Sequence, residues 1–331
     1  MSCVICGGGT AGHITPGLAV ASALSDVRWY GSATGMEARL VPQAGIQFSA
    51  IIAHPLRGKN IFAKLKALFF LPVAVVHSMC LLVRHQPKKV LSMGGYVALP
   101  VGLAAWLLRI PLVIHEQNAC LGLTNRVLAH LATHRFSGLP LRGFEVIGQP
   151  INLECQPLLR PGQRVLVLGG SRGAQAMNEW VAQTWAQWPK AQRPELWHQV
   201  GEAHHAYWQQ WYQTRGLTVR VSGFIEQMSE AYGWATCVVS RAGAMTLAEL
   251  SVVDLPALLV PYPYAVDDHQ THNAQAWLKD HPGLLCPEAQ CSSDILYNWC
   301  IQLESARQRA PHAMPHMATT RLVSVLEGAC A

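Results

Sequence analysis

The sequence predicts an α/β protein built from two doubly wound domains with parallel sheets. Three observations predict it. Strand-like and helix-like runs alternate along the whole chain. A strand, a glycine loop and a helix follow one another twice, once near Cys3 and again near Arg164. The length of 331 residues suits two domains, at about 100–200 residues each.

Taken in order, Ser2 to Cys6 is the first strand and Gly7 to His13 the first glycine loop, followed by a helix from about Pro16 to Leu24. Pro16 suits a first helical turn, where its missing N–H is no loss. Strands at Val27 to Tyr30 and Ile46 to Ala53 precede a long apolar helical stretch from Ile61 to His85. Strand Lys89 to Ser92, the Gly94-Gly95 turn, a helix to Leu108, strand Pro111 to Ile114 and a helix from Thr124 to Ala132 complete the first half. Between Asn152 and Gln163 the chain has prolines and no clear period, which marks a boundary. Strand Arg164 to Leu168, the loop Gly169 to Ala174 and a Trp- and Gln-rich helix restart the pattern. Further strands follow at Leu196 to Val200, Val219 to Val221, Cys237 to Ser240 and Ala257 to Val260. The expected domains are 1–149 and 150–312, with a last helix, about 313–331, packing back on the first. Ligands of such Rossmann-like sheets bind beyond the carboxyl ends of the strands, so two sheets facing across a cleft would turn both glycine loops into it.

The composition narrows the function. Half the residues are hydrophobic and 13% are charged, against about 25% charged in an average soluble domain. This is a folded chain with a large core and an apolar surface, and its ample apolar content argues against disorder. A net charge of +6 fits anionic partners. No dense Lys/Arg run with interleaved aromatics supports nucleic acid. The ten cysteines include Cys3 and Cys6, but no second pair completes a zinc site, so they read as buried reduced thiols. The chain starts directly in a strand, unlike a signal peptide. Ala67 to Val83 is almost wholly apolar yet shorter than the ~20 residues of a spanning helix. With Arg57, Lys59, Lys64 and Lys66 before it, it reads either as a core helix or as one lying on an anionic leaflet.

Four segments carry chemistry. The loop from Gly7 to His13 fits G-x-G-x-x-G, but the second strand ends without the acid that a dinucleotide's ribose needs. What remains is close backbone approach at a helix N-terminus, with His13 either a general base or a loop-shaping residue. The Gly169 loop repeats that logic. Ser240 to Glu249 reads as strand, glycine turn and helix start. The amides of Ala244, Met245 and Thr246 suit a diphosphate, and Glu249 suits either ribose hydroxyls or the helix dipole. In Asp267 to Asn273, Gln270 and Asn273 can read sugar hydroxyls. A metal on Asp267, Asp268, His269 and His272 is disfavoured, because such close neighbours cannot all face one ion.

Gly8 to Ala21, Leu56 to Lys59, Met93 to Tyr96, His115 to Asn118 with Gly122 to Asn125, the Gly169 loop, Gly223 to Ile225, Arg241 to Glu249 and Asp268 to Ala274 together resemble the MurG family of peptidoglycan N-acetylglucosaminyltransferases, in family order and over nearly the whole chain. The resemblance implies a GT-B fold and transfer of GlcNAc from UDP-GlcNAc to the MurNAc 4-hydroxyl of lipid I, with inversion, giving lipid II. It implies His13 as candidate base. It places Thr10, Ala11, Gly12, Asn118, Ser171, Ile225, Arg241, Ala244, Met245, Thr246, Leu247, Ala248, Glu249, Gln270 and Asn273 at the substrates. The family's usual G-N-P-[VI]-R reads Gly148-Gln149-Pro150-Ile151-Asn152 here, so Asn152 stands in place of an arginine that helps hold the donor. The expected location is the cytoplasmic face of the bacterial inner membrane, with Lys64, Leu65, Lys66, Phe69 and Phe70 at the leaflet and other cell-wall synthesis proteins as partners. No cofactor or essential divalent metal is expected, since helix N-termini can stabilise the leaving diphosphate. Three other readings remain: a GT-B enzyme with a different glycolipid acceptor or an epimerase's chemistry, an NAD-linked dehydrogenase, and a non-catalytic nucleotide-sugar-binding copy.

Overall fold

Seven parallel strands form the first sheet of the computed structural model, which describes residues 2–53, 61–151, 153, 163–170, 174–305 and 317–328, with 61–68 and 304–305 described by backbone alone. The chain divides into two units, Met1–Asn152 with His316–Ala331, and Leu153–Pro315.

The first unit runs β1 (Cys3–Gly7), α1 (Ala11–Ala21), β2 (Val27–Ser32), α2 (Glu37–Gln43), β3 (Gln47–Ile51), α3 (Ile61–His85), β4 (Lys89–Gly94), α4 (Ala98–Leu107), β5 (Leu112–Glu116), α5 (Leu123–Leu128), β6 (His134–Ser137) and β7 (Glu145–Val146). Its strands lie in the order β3-β2-β1-β4-β5-β6-β7, all paired in parallel. The second unit runs β8 (Arg164–Leu168), α6 (Gln175–Gln187), β9 (Glu195–Gln199), α7 (His205–Thr214), β10 (Arg220–Ser222), α8 (Met228–Trp234), β11 (Cys237–Ser240), α9 (Ala244–Val253), β12 (Ala257–Leu259), α10 (His269–Trp277), β13 (Gly283–Leu285) and α11 (Ser293–Ser305). Its order is β10-β9-β8-β11-β12-β13, again parallel. Both sheets therefore share the doubly wound order 3-2-1-4-5-6, and the first adds a seventh strand.

Both faces of each sheet are covered, so the central strands are continuous apolar runs rather than alternating ones. In β1, Cys3 and Ile5 enter one core with Trp29, Leu91 and Met93, while Val4 and Cys6 enter the opposite core with Leu82, Val101 and Leu112. The two cysteines of the C-x-x-C thus lie on opposite faces as buried thiols. In β8, Val165 and Val167 face Trp185 and Trp208, and Leu166 and Leu168 face Tyr232 and Leu250. Each such fully buried side chain contributes roughly 1.5–3 kcal/mol.

The final helix, α12 (Met317–Glu327), belongs to the first unit. It lays Leu322, Val325 and Leu326 on the core that contains Cys3 and Ile5, and the Lys89 ammonium bonds the Val325 carbonyl.

Two sequence expectations are corrected. Helix α1 starts at Ala11, not Pro16, because Gly9 (φ 86°) turns the chain and extended Thr10 (φ −143°, ψ 154°) already sets the N-cap. Pro16 is therefore inside the helix, and His13 is in its first turn rather than at a loop tip. The short elements α2, β6, β7 and β13 went unpredicted.

Candidate active site

In an open parallel sheet the ligand crevice forms where the strand order reverses. In the first unit that point lies between β1 and β4. Gly94, the last residue of β4, and Gly95 after it have φ of 87° and 83°. A Cβ at Gly95 would come within 2.2 Å of the Gly8 carbonyl oxygen, so this contact between the two loops requires glycine.

His13 stands over this junction, half-buried. Its Nδ1 is 3.1 Å from the Gly8 carbonyl oxygen and 3.1 Å from the Thr10 hydroxyl. A carbonyl only accepts, so this contact is a hydrogen bond when Nδ1 carries the proton. A Cβ at Gly94 would meet the Nε2 side of the ring at 3.4 Å, with the Asn125 amide at the same distance. Thr10 and Ala11 are exposed and Gly12 is half-buried.

Two buried carboxylates that sequence reasoning gave no role organise this site. Glu116, at the end of β5, accepts from the Asn118 backbone N–H and side-chain amide (both 3.1 Å), from the Gly122 N–H (3.1 Å) and from the Asn125 amide (3.0 Å). Asn118 is thereby fixed in orientation, and Asn125 is held beside His13. Glu37, fully buried at the start of α2, accepts from the Gly9 N–H at 3.2 Å and the Ser32 N–H at 2.9 Å. An acid therefore does follow β2, but it is turned inward onto the loop and is not offered to a ribose. Beneath them, His115 is buried and donates from Nε2 to the Gly148 carbonyl (2.9 Å). Burial pushes its pKa down to about 4, against that bond.

In the second unit the reversal lies between β8 and β11. Gly243 (φ −69°, ψ 139°) is the N-cap of α9 and brings no side-chain cap, and the helix has no acid in its first turn. The N–H groups of Ala244, Met245 and Thr246 have no intrahelical partner. Such unpartnered amides at a helix N-terminus, with the helix dipole, favour an anion. Glu249 follows on the same helix and is half-buried. The Tyr232 hydroxyl donates to its Oε2 at 2.8 Å. Burial raises the Glu249 pKa, and the tyrosine bond opposes the rise. Gln270, in the first turn of α10, accepts from the Tyr262 N–H at 2.9 Å and so ties that helix to the chain after β12. Ile225 is buried in the core, which leaves its backbone as the part able to meet a ligand.

Three members of the expected donor set are engaged by contacts within the protein. Leu247 is fully buried against the core and its N–H is spent on the Gly243 carbonyl (3.0 Å). Asn273 is fully buried and donates to the Ala242 carbonyl at 3.3 Å, stapling α10 to the turn before α9. Arg241 is held by the protein: Nη1 donates to the Val260 (3.1 Å) and Pro261 (3.0 Å) carbonyls, and Nη2 pairs with Glu288. It braces the turn before α9. Ala248 sits one residue beyond Leu247, past the helix's unpartnered amides. Ser171 and Asn152 lie outside the described residues, as do Arg57 and Lys59.

At the acidic turn before α10, Asp267 and Asp268 adopt φ of 54° and 49°. Asp268 accepts from the Thr271 hydroxyl at 2.7 Å, and the His269 ring bonds the Val266 carbonyl at 2.8 Å. Among the described residues no three His, Cys, Asp or Glu side chains group as metal ligands.

The outer face of α3 is apolar. Phe69 is 76% exposed and stands edge-on to Phe70, and Val73, Val76 and Val83 are exposed along the same helix. Trp106 and Leu107 on α4, and Leu123 and Val127 on α5, are also exposed. The side chains of Lys64, Leu65 and Lys66 lie outside the described ones. Among the described residues no helix is long and apolar enough to cross a membrane.

Comparison with known proteins agrees with this geometry. Residues 3–137 match the glycosyltransferase family 28 N-terminal domain and residues 164–326 the C-terminal domain of the same family. The chain is 42% identical over 313 residues to the UDP-N-acetylglucosamine–N-acetylmuramyl-(pentapeptide) pyrophosphoryl-undecaprenol N-acetylglucosamine transferase of Alkalilimnicola ehrlichii, covering 89% of this chain and 88% of that protein. The protein of that name from Chromohalobacter salexigens is 39% identical over 341 residues, 97% of this chain and 93% of its own. The crystal structure of Acinetobacter baumannii MurG superposes with a TM-score of 0.79 at 32% identity, covering 99% of both chains. A kitacinnamycin glycosyltransferase, 14% identical with a TM-score of 0.67 over 99% of this chain and 94% of its own, shares the fold. With two parallel-sheet domains of GT-B type, the chain belongs to glycosyltransferase family 28 and, within it, to the MurG family.

Proposed function

We propose that this chain is an inverting glycosyltransferase that moves GlcNAc from UDP-GlcNAc to the MurNAc 4-hydroxyl of lipid I, giving lipid II. The observation that carries the reading is the identity of about 40% to transferases of that name over nine-tenths of the chain. The local chemistry supports it. The α9 amides of Ala244 to Thr246 receive the diphosphate, Glu249 accepts from the ribose, and backbone groups at Ile225 meet the uracil. The acceptor hydroxyl gives its proton to His13 Nε2 as its oxygen attacks the anomeric carbon, and UDP leaves from the opposite face. Negative charge gathers on the departing diphosphate, where amides fixed in advance stabilise it without reorganisation.

Labelled UDP-GlcNAc incubated with a lipid I analogue tests this directly. UDP release with a matching disaccharide-lipid product is expected. Donor binding without product would leave a nucleotide-sugar-binding copy as the better reading.

Two further properties follow from the same reading. Turnover is independent of added metal, because the amides take the role of a cation; loss of turnover in EDTA and its return with Mg²⁺ would contradict this. The lipid acceptor lies in a membrane, and the exposed Phe69 face of α3, with Phe70 and the Lys64-Leu65-Lys66 segment, is the surface that meets the anionic leaflet. Replacing Leu65, Phe69 and Phe70 with Ser should release the protein from anionic vesicles in a flotation assay; unchanged flotation would remove this surface from the reading.

A further inference from the structure

We infer that Glu37 is a positioning residue for the base, acting on His13 through the single peptide group between Gly8 and Gly9. The inference rests on His13 being the proton acceptor, as proposed above.

The peptide unit has two ends. Its N–H, on Gly9, donates to Glu37 Oε2 at 3.2 Å. Its carbonyl, on Gly8, is 3.1 Å from His13 Nδ1. Resonance couples the two ends of a peptide, so an acceptor on the N–H strengthens the carbonyl as an acceptor. The buried carboxylate thereby holds the Nδ1–H form of the ring and keeps the lone pair on Nε2. This is the relation of a carboxylate to a catalytic histidine with one amide interposed.

The location supplies the need for it. His13 is the third residue of α1, where the helix dipole opposes a positive charge. An imidazole that takes a proton there is penalised unless a negative charge lies close. Glu37 supplies one beneath the same turn. Of the titratable groups among the described residues, Glu116 reaches the ring through Asn125, and Tyr96 lies against Gly9. Thr10, the second partner of Nδ1, is neutral and can donate or accept, so it selects neither tautomer.

Space confirms that the carboxylate is built into the site. A Cβ at Gly8 would fall 2.1 Å from Glu37 Oε1, and one at Gly35 would fall 2.3 Å from it. A Cβ at Gly31 would fall 2.6 Å from Glu37 Cγ. The same carboxylate takes the Gly9 amide and puts negative charge under the loop. The first glycine loop is thus shaped as a seat for the base.

In the proposed reaction the proton passes from the acceptor hydroxyl to Nε2. The imidazolium keeps its Nδ1–H on the Gly8 carbonyl.

The test uses Glu37→Gln, which keeps the volume and removes the charge. Nitrogen-15 spectra of the histidine rings, assigned with His13→Ala, should show His13 as the Nδ1–H tautomer in the wild-type protein. In Glu37→Gln the ring should shift toward a tautomer mixture. Turnover should fall roughly 10- to 100-fold, a part of the 10²–10⁴ that a general base supplies, with the donor KM within about twofold. Wild-type turnover with an unchanged ring spectrum in Glu37→Gln would reduce Glu37 to a space-filling residue. An Nε2–H tautomer in the wild-type protein would overturn the inference even if the variant fails to fold. Full turnover in His13→Ala would instead refute the base reading, a result separate from the ring spectra.

Discussion

The two units use the same local device, a parallel strand, a glycine turn and a helix N-terminus, for opposite electrostatic ends. After β1, a buried carboxylate takes the Gly9 amide and a histidine occupies the third helical position. After β11, no acid stands in the first turn of α9, and Arg241 braces the turn from behind through Val260, Pro261 and Glu288. In the proposed reaction one junction receives a proton and the other an anion. The glycine pattern does not distinguish them; the side chain that reaches the loop from elsewhere in the fold does.

The strongest way to break this comparison is His13→Ala. Turnover should fall by ~10²–10⁴ with donor binding retained, as for a lost general base. A loss of tenfold or less, measured as UDP release at saturating substrates, would make His13 a loop-shaping residue and erase the contrast.

A smaller effect is expected at the other junction. Glu249→Ala should weaken UDP binding by ~1–3 kcal/mol, the range for hydrogen bonds to a charged group, with His13-dependent chemistry otherwise intact. Calorimetry of UDP binding to the variant checks it, and an unchanged Kd would remove the ribose role. Because burial raises the Glu249 pKa, and hydroxyl donors favour its ionised form, UDP affinity should also decline on the acid side. That decline should vanish in Glu249→Gln; if it persists there, another group is responsible.

The mildest test compares the buried histidines of the two units. Burial takes His115 down to about 4 and His198 to about 3, from a usual value near 6.5. The unfolded chain binds these protons first, so the stability tied to neutral His115 and His198 is fully present above pH ~6.5. It is lost as pH falls through that window toward about 4 for the first unit and about 3 for the second. Melting temperature should fall across that range, and His115→Gln should flatten the slope above pH ~4. An unaltered slope would show that His115 does not carry it.

Much of the fold was legible because the central strands are uninterrupted apolar runs. Arg164–Leu168 and Cys237–Ser240 stand out in the sequence as they stand in the sheet, and Ile61–His85 is one continuous helix. Short elements were not legible. Glu145–Val146 and Gly283–Leu285 are too brief to show a period. Pro16 misled because a proline near a helix start reads as its first turn, while the turn that sets this start is made by Gly9 and Thr10. Within the site, position in the helix was legible only in part. Leu247, Leu250 and Val253 recur at helical spacing and mark a core face, a signal that outweighs the neighbouring substrate-like residues. Partners distant in sequence were beyond reach: Glu288 lies 47 residues from Arg241, and Glu37 lies 28 from Gly9. No local pattern announces such pairs.

The side chain of Glu37 fills the room that side chains at positions 8, 31 and 35 would otherwise need. Those four positions share one volume. A larger residue at position 8 or 35 collides with the carboxylate, one at 31 collides with the Glu37 methylene and the Phe48 ring, and a smaller residue at 37 opens a void beneath the loop. In a combinatorial library they would behave as a single four-letter word. Single changes would score as damaging at every letter, while a paired change, such as a small side chain at 37 with alanine at 8, could restore packing without restoring the charge. Comparing such a repacked pair with its parent would separate what the volume does from what the charge does.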